Sequence, residues 1–433
     1  MSRTDLWRRL PWFLVALLLN APVVAEDPPL PEPLALSDAL ALARTDLPGI
    51  ELALAAREAS SAALADAEAL SAIRLDAVGQ LRAVRPSYKS PDRDNNDSSA
   101  RLLLRKRLYD FGYSEALEQS ARLAGEGSQW RHLDARQAAR LDIMRRFFDV
   151  ILADLRFARD NEAMAGAFIA ADRARDRHEL KRLSDIELLR FEAEYQAVLQ
   201  QRSRSQTQQR AARARLAIAM GRPGDLVSDV VRPASPDSTG ELPDYERLLE
   251  EVMRNNPRLK AQRAELEAAL ADVEAARNEH GPVLSGELEA AVYNRSTNST
   301  HPLGGGLVLE VPLLTGGAKD AAIAAARARL RHSRAKAAAL EHELRQEVLD
   351  LWLRLDSLRI ELEGLKVRGD YRELYLDRSR ALYELEVKTD LGNAMTEISA
   401  VRLDEAKAEF DWMMTRARLA ALAGRLLPGE EPE

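Results

Sequence analysis

The pattern of apolar and polar positions divides the chain into short alternating segments and much longer segments with a 4-3 repeat. Apolar and polar residues alternate over 73–84, 100–109, 284–293 and 306–312, which is the period of a β-strand with one polar face. The 4-3 spacing is typical of helices that pack along a coiled-coil seam. One such run comprises Leu344, Val348, Leu351, Leu355, Leu358 and Leu362. The pattern therefore predicts a mainly α-helical chain with a small β part.

Proline is missing from two long stretches, between Tyr113 and Arg222 and between Leu313 and Leu427, as long helices require. Each stretch predicts a helix of about 105 Å, followed by a return helix of about half that length. The long helices are expected over 113–183 and 318–388, the return helices over about 184–220 and 390–424, and two further single helices over about 36–70 and 245–280. By length, we expect helix 245–280 to continue the first return helix and helix 36–70 to continue the second. The glycines of Gly125-Glu126-Gly127 are a candidate break in the first long helix.

Short motifs recur along the chain at an offset of about 203 to 206 residues. The matched pairs are 64–68 with 270–274, 109–112 with 314–317, 184–185 with 389–390, and 221–222 with 424–425. We infer a tandem duplication, with repeat 1 over 34–222, a linker rich in Pro, Ser, Asp and Gly over 223–242, and repeat 2 over 242–427. Each repeat is expected to hold a helix, a hairpin (73–109 or 284–312), a long helix and a return helix. Residues 428–433 form a tail.

The N-terminus has the organisation of a secretory signal peptide. Arg3, Arg8 and Arg9 precede a short apolar run, and Val23-Val24-Ala25 is a suitable cleavage site, which gives a signal peptide over 1–25. The chain has no cysteine, which excludes disulfides and a cysteine nucleophile. A net charge of -7 with interspersed signs gives no indication of nucleic-acid binding. The six histidines lack metal-ligand spacing, so we expect neither an enzyme nor a cofactor.

The alternating segments have the length and the two-sided character of transmembrane barrel strands, although a soluble, half-buried hairpin would give the same alternation. Four strands cannot close a barrel, whereas three copies of the chain would supply twelve. In such a barrel the polar side chains face the lumen. The residues expected there are Arg74, Asp76, Arg82, Arg105, Glu287 and Glu289.

The turns that follow the two long helices carry charged residues and helix-capping signals. Ser184 with Glu187 three residues later is a capping box, and Thr389 followed by Asp390 is a good N-cap. We expect these turns to lie together at one end of the molecule, which we call the tip. Its residues are Lys181, Arg182, Leu183, Ser184, Asp185, Glu187, Glu386, Lys388, Thr389 and Asp390.

The order of these features resembles that of the TolC-like outer-membrane factor, or outer membrane efflux protein, family. The runs Leu108–Gly112, Val311–Gly317 and Tyr383–Ala400 are particularly similar to the family pattern, and the resemblance covers about Leu34 to Leu427. It implies a homotrimer with a twelve-stranded barrel in the outer-membrane lipid and a helical coiled-coil tunnel in the periplasm. It also implies an outer-membrane channel of a tripartite efflux or type I secretion system. A periplasmic adaptor (membrane-fusion) protein would contact the tip and link this channel to an inner-membrane pump. The resemblance thus implies that the tip acts as a gate or as the adaptor contact.

The chain departs from the family pattern at the tip. Lys181 and Glu386 stand where the family usually has a glycine in each turn. Glu187 matches one acidic position of the family constriction, whereas Gly392 and Met395 occupy the corresponding positions of the second half. An acidic ring would then come from Asp185, Asp390 or Glu386.

The alternative function is that of a soluble periplasmic coiled-coil protein, such as an adaptor or scaffold. Adaptors have one helical hairpin and a lipoyl-like β-domain. This chain has two predicted hairpins and a duplication, which favours the channel.

Overall fold

The computed structural model describes residues 29–236, 240, 242–295, 300–385 and 391–426 of the 433-residue chain. The predicted signal peptide, the whole tail over 428–433 and the four residues predicted for the second tip lie outside these residues. The described helices are α1 Leu36–Ala41, α2 Pro48–Ala69, α3 Tyr113–Glu179, α4 Asp185–Ala219, α5 Tyr245–Asn255, α6 Pro257–Asn278, α7 Ala318–Glu384 and α8 Leu391–Leu422. The strands are β1 Ile73–Gln80, β2 Ser99–Tyr109, β3 Val283–Tyr293 and β4 Leu303–Glu310. Within the described residues, every helix is too short or too polar to cross a membrane.

The two halves of the chain have the same order of elements, and their long helices are equally long. Both α3 and α7 contain 67 residues, which corresponds to about 100 Å. Each begins after a glycine in the left-handed region, Gly112 at φ 90° and Gly317 at φ 85°. The predicted break at Gly125–Gly127 is wrong, because α3 runs through it. A side chain at 127 would lie 3.2 Å from the Ala261 carbonyl oxygen, so this glycine serves close packing of α3 on α6.

The helices expected as single pieces over 36–70 and 245–280 are each two helices. Pro48 and Pro257 stand in the first turn of α2 and α6, where proline is favoured because its missing N–H needs no partner. Asn256 caps α6 by accepting a hydrogen bond from the Leu259 N–H at 3.0 Å. The chain therefore restarts its helix at an equivalent place in both halves.

The end of each return helix meets the start of a shorter helix from its own half, α2 for α4 and α6 for α8. The pairing expected from lengths is therefore wrong. The Arg44 N–H donates to the carbonyl of Met220, at the end of α4, over 3.0 Å. The Asn256 side chain donates to the carbonyl of Leu422, at the end of α8, also over 3.0 Å. Thus α4 leads towards α2 and α8 towards α6. α2 and α6 both contain 22 residues, and α4 and α8 contain 35 and 32, so length could not select the partners.

The strands form one antiparallel sheet in the order β1-β2-β3-β4. The helices form a layer in the same order as the strands. α3 packs against α2 and α4 and also against α6 and α8, and α7 packs against α6 and α8. Compared with the predicted segments, β1 ends earlier, at Gln80, and β4 begins earlier, at Leu303. The sheet thus continues one end of a helical layer.

The buried core lies mainly where the short helices meet. One cluster includes Phe147, Leu216 and Phe410, and another includes Leu259, Leu344 and Leu358. The face-to-face rings of Phe148 and Phe410, 4.5 Å apart, join α3 to α8.

The segment expected to be a linker is packed across the helix ends. Leu34 pairs with Val230 in a parallel bridge. Arg213 of α4 donates to the carbonyls of Val227 and Ser228 at 3.1 and 3.2 Å. Further along, Arg232 forms a 2.7 Å ion pair with Glu409 of α8, which is 5% exposed. This segment therefore binds the two halves together.

Candidate functional site

The sheet has one charged face and one apolar face. The register places Arg74 opposite Arg105, and Arg105 opposite Glu287. Asp76 and Glu289 follow two positions along their strands and therefore lie on the same side. The structure thus brings five of the six residues predicted for the lumen onto one face, which we call the charged face.

The charges on this face are partly paired with one another. Arg105 Nε lies 2.7 Å from Glu287 Oε1, and Arg74 Nε lies 3.0 Å from Asp76 Oδ1. The Tyr293 hydroxyl donates to Glu289 at 3.1 Å. The sixth predicted residue, Arg82, lies beyond the end of β1, where it pairs with Asp97 at 3.0 Å.

The opposite side, which we call the apolar face, is exposed to an unusual degree. Leu75 is 63% exposed, Leu307 71% and Val292 76%. A contiguous apolar surface of this kind marks contact with a membrane or another protein. The apolar face consists of Ile73, Leu75, Ala77, Gly79, Ala100, Leu102, Leu104, Lys106, Leu284, Gly286, Leu288, Ala290, Val292, Leu303, Gly305, Leu307 and Leu309. Lys106 is its one charged member.

Both edges of the sheet are open within the described residues. β1 pairs only with β2, and β4 pairs only with β3. An open edge presents unpaired backbone N–H and C=O groups, which are costly to expose to an apolar medium. Within the described residues, the outer edges of β1 and β4 therefore have no strand partner.

The first tip turn has a well-defined backbone. The Lys181 N–H donates to the His178 carbonyl and the Arg182 N–H to the Arg177 carbonyl, both at 2.8 Å. These bonds form a Schellman motif that ends α3. Lys181 stands at its left-handed position with φ 54°, where glycine is usual.

The capping box predicted at the start of α4 is confirmed. The Glu187 N–H donates to Ser184 Oγ, and the Ser184 N–H donates to the Glu187 carboxylate, both over 3.3 Å. The hydrogen bond from the Ser184 backbone is the main reason that the pKa of Glu187 is held below its usual value. His178 Nε2 lies 2.7 Å from Asp185 Oδ1, so Asp185 links the two sides of the turn.

The remaining tip residues are only partly described. Glu386, Lys388, Thr389 and Asp390 lie outside the described residues. Arg182 is exposed and Leu183 is half-buried. In the second half, Met395 packs against the cluster of Leu376, Ala394 and Ile398. That apolar seam between α7 and α8 suits a methionine better than a carboxylate.

A polar network at the junction of β2 and α3 was missed by the sequence reasoning. Asp110 is 8% exposed and accepts hydrogen bonds from Ser114 and Arg107. Burial alone would raise the pKa of Asp110, but these hydrogen bonds outweigh it and lower the pKa. The next residue, Phe111, has a φ of 57°. The matched position of the second half, Gly316, has a φ of 59°, so the repeat offset could have revealed this unusual turn.

Comparisons with known proteins agree with this architecture. Residues 248–425 match the family model described as "Outer membrane efflux protein". No curated protein sequence matches the chain. The family model and the similar solved structures are those of channels and not of enzymes.

Three solved structures illustrate the similarity of fold. The CmeC outer membrane channel of Campylobacter jejuni has a TM-score of 0.76 at 12% identity, covering 92% of this chain and 87% of its own. The outer membrane protein VceC of Vibrio cholerae has a TM-score of 0.69 at 16% identity, covering 90% of this chain and 96% of its own. The MtrE outer membrane channel of Neisseria gonorrhoeae, in its open state, has a TM-score of 0.64 at 18% identity, covering 92% of this chain and 90% of its own. The second half of the chain is thus similar to the outer membrane efflux protein family, and the fold of the whole chain is that of the TolC-like outer-membrane channels.

Proposed function

We propose that this protein is the outer-membrane channel of a tripartite efflux or type I secretion system. The observation that carries the proposal is the sheet with an exposed apolar face, a charged face and two open edges, at one end of helices about 100 Å long. The apolar face suits lipid and the charged face suits a water-filled lumen. The helices then project into the periplasm and extend the conduit.

The working unit is a homotrimer. Three copies place the β4 edge of one chain beside the β1 edge of the next, which closes a twelve-stranded barrel and leaves no edge in lipid. α2 and α7 would meet in the same way, because they are the outer members of the helical layer. The charged residues Arg74, Asp76, Arg105, Glu287 and Glu289 then line the lumen, and Arg82 lies at its outer end.

The tip forms the contact with other components of the system. An adaptor from the periplasm contacts the turns around 181–187 and 386–390 and connects them to an inner-membrane pump. The same turns constrict the tunnel in its resting state. The exposed positions of Lys181 and Arg182 and the pairing of His178 with Asp185 support this assignment. The tandem repeats over 34–222 and 242–427 and removal of residues 1–25 during export belong to the same proposal.

Fractionation, electron microscopy and conductance together test the proposal. The full chain, expressed with its own N-terminus, should enter the outer-membrane fraction and appear after extraction as threefold tubes with about 100 Å of helices. In planar bilayers the purified protein should conduct ions. Elongated particles that remain in the periplasmic fraction and do not conduct would refute the channel and support the scaffold.

A further inference from the structure

Lys106 is the one charged side chain on the apolar face of the four strands. It is exposed, and its registered neighbours are Ile73 on β1 and Gly286 on β3. The Leu108 side chain lies next to Gly286, since a Cβ added to Gly286 would lie 3.4 Å from Leu108 Cδ1. These surroundings offer the ammonium group hydrocarbon and no carboxylate.

Within the described residues, Lys106 forms no ion pair with a carboxylate. The next acidic residue in the sequence is Asp110, just after β2, which is 8% exposed and already bonded to Arg107 and Ser114. A lysine on a lipid-facing strand is costly at the middle of the bilayer and tolerated near its interfaces. Lys106 therefore needs a counter-ion from outside the protein.

The position of Lys106 along β2 indicates where that counter-ion lies. Three residue steps, or about 10 Å of strand, lead from Lys106 to Tyr109, where the strand ends and the helical part begins. The rings of Tyr109 and Phe111 lie 4.7 Å apart at this end and are 57% and 49% exposed. Exposed aromatic rings favour the level of the lipid headgroups. A lysine side chain extended towards that end would reach the same level.

We propose that Lys106 binds the headgroup phosphate of a phospholipid in the periplasmic leaflet, with the acyl chains against Ile73, Leu75 and Leu104. The inference rests on the proposed function, because it requires the apolar face to contact lipid. A phospholipid fits better than free phosphate, since the apolar face beside Lys106 offers its acyl chains a surface that an inorganic anion would not use. The site lies within one copy of the chain, because β2 pairs with β1 and β3 on its two sides. Its lipid is thus independent of trimer contacts.

The test counts the phospholipids that the full-length protein retains. Protein extracted from the outer-membrane fraction is incubated with phosphatidylglycerol and examined by native mass spectrometry. Lys106→Met keeps the length of the side chain and removes its charge, whereas Lys106→Arg keeps the charge. Lys89→Met is the matched control, because Lys89 is an exposed lysine in the loop between β1 and β2.

We expect Lys106→Met to bind phosphatidylglycerol roughly fivefold more weakly, the effect of one basic residue at a lipid surface. Lys106→Arg and Lys89→Met should bind it like the unaltered protein. Millimolar inorganic phosphate should not displace the lipid, and diacylglycerol with the same acyl chains should bind equally to all variants. Equal phosphatidylglycerol binding by Lys106→Met, or complete displacement by inorganic phosphate, would overturn the proposal. Failure of the unaltered chain to enter the outer membrane would instead refute the proposed function.

Discussion

Within the described residues, α3, α4 and α8 end in the same hydrogen-bonded turn. The residue at the left-handed position of this turn differs between the tip, at the end of α3, and the ends of α4 and α8 beside α2 and α6, which we call the equator. At the end of α4 it is Gly221, with φ 74°, and at the end of α8 it is Gly424, with φ 71°. At the end of α3 it is Lys181, with φ 54°. The comparison separates two requirements, backbone conformation and space, because all three turns need a positive φ.

Space is short only at the equator. A Cβ on Gly221 would lie 2.9 Å from Leu47 Cδ2, and one on Gly424 would lie 3.1 Å from the Asn255 carbonyl oxygen. Lys181 is exposed, so its side chain projects into solvent at the cost of an unfavourable backbone conformation of about 1 kcal/mol. The equator is thus closely packed, whereas at the end of α3 the exposed side chain has room and only the backbone conformation is unfavourable.

The largest effect is expected from Gly221→Ala. The substitution adds an unfavourable φ and a contact with Leu47, so the free energy of unfolding should fall by about 2 to 4 kcal/mol. Denaturant unfolding of the extracted protein measures it. Gly49→Ala in α2 is the control, because nothing lies within 4 Å of the added Cβ. Equal stability of the two variants would show that neither the positive φ nor the close contact at the equator requires glycine at position 221.

A smaller effect is expected from Ser184→Ala. The substitution removes the capping box of α4 and should destabilise its first turn by about 1 kcal/mol. Hydrogen exchange should accelerate in the first residues of α4 and remain unchanged in the core around Leu216. Ser184→Asp, which can still cap the helix, should preserve the protection. An equally fast exchange in Ser184→Asp would show that capping is not what stabilises this turn.

Lys181→Gly should stabilise the same turn by about 1 kcal/mol or less, because glycine adopts a positive φ without strain. Exchange of the Lys181 and Arg182 amides, which bond to α3 carbonyls, should slow. Lys181→Ala removes the charge but retains the strain, and it should therefore not slow exchange. Slower exchange in both variants would mean that the charge, rather than the backbone, destabilises the tip.

The smallest effect is a dependence on pH at the tip. The pKa of Glu187 is lower in the folded state, so its contribution to stability is fully present above the unfolded pKa of about 4.3. That contribution is lost as the pH falls through the lower, folded pKa. The difference in α4 protection between the unaltered protein and Glu187→Gln should therefore shrink below about pH 4. A difference that grows on acidification would contradict this assignment.

The sequence alone predicted the features that depend on nearby residues. Period-two alternation located the hairpins, although Gly304 and Gly306, with no side chain to show a period, hid the start of β4. The spacing of Ser184 and Glu187 predicted the capping box, and the repeat offset predicted the order of elements in both halves. The family resemblance indicated that Lys181 stands where a glycine is usual, and the structure places Lys181 in a conformation that favours glycine.

Only the tertiary structure decided what depends on distant residues. The lengths of α2, α4, α6 and α8 could not show that α4 meets α2 and α8 meets α6, because that choice depends on contacts such as Asn256 with Leu422. Packing on α6 kept α3 continuous through Gly127, where local propensity favoured a break. The pairing of Arg105 with Glu287, and the isolation of Lys106 among apolar residues, follow from a register between strands far apart in the chain. A single sequence encodes residue preferences locally, whereas register and helix pairing are fixed by burial and hydrogen bonding across the whole fold.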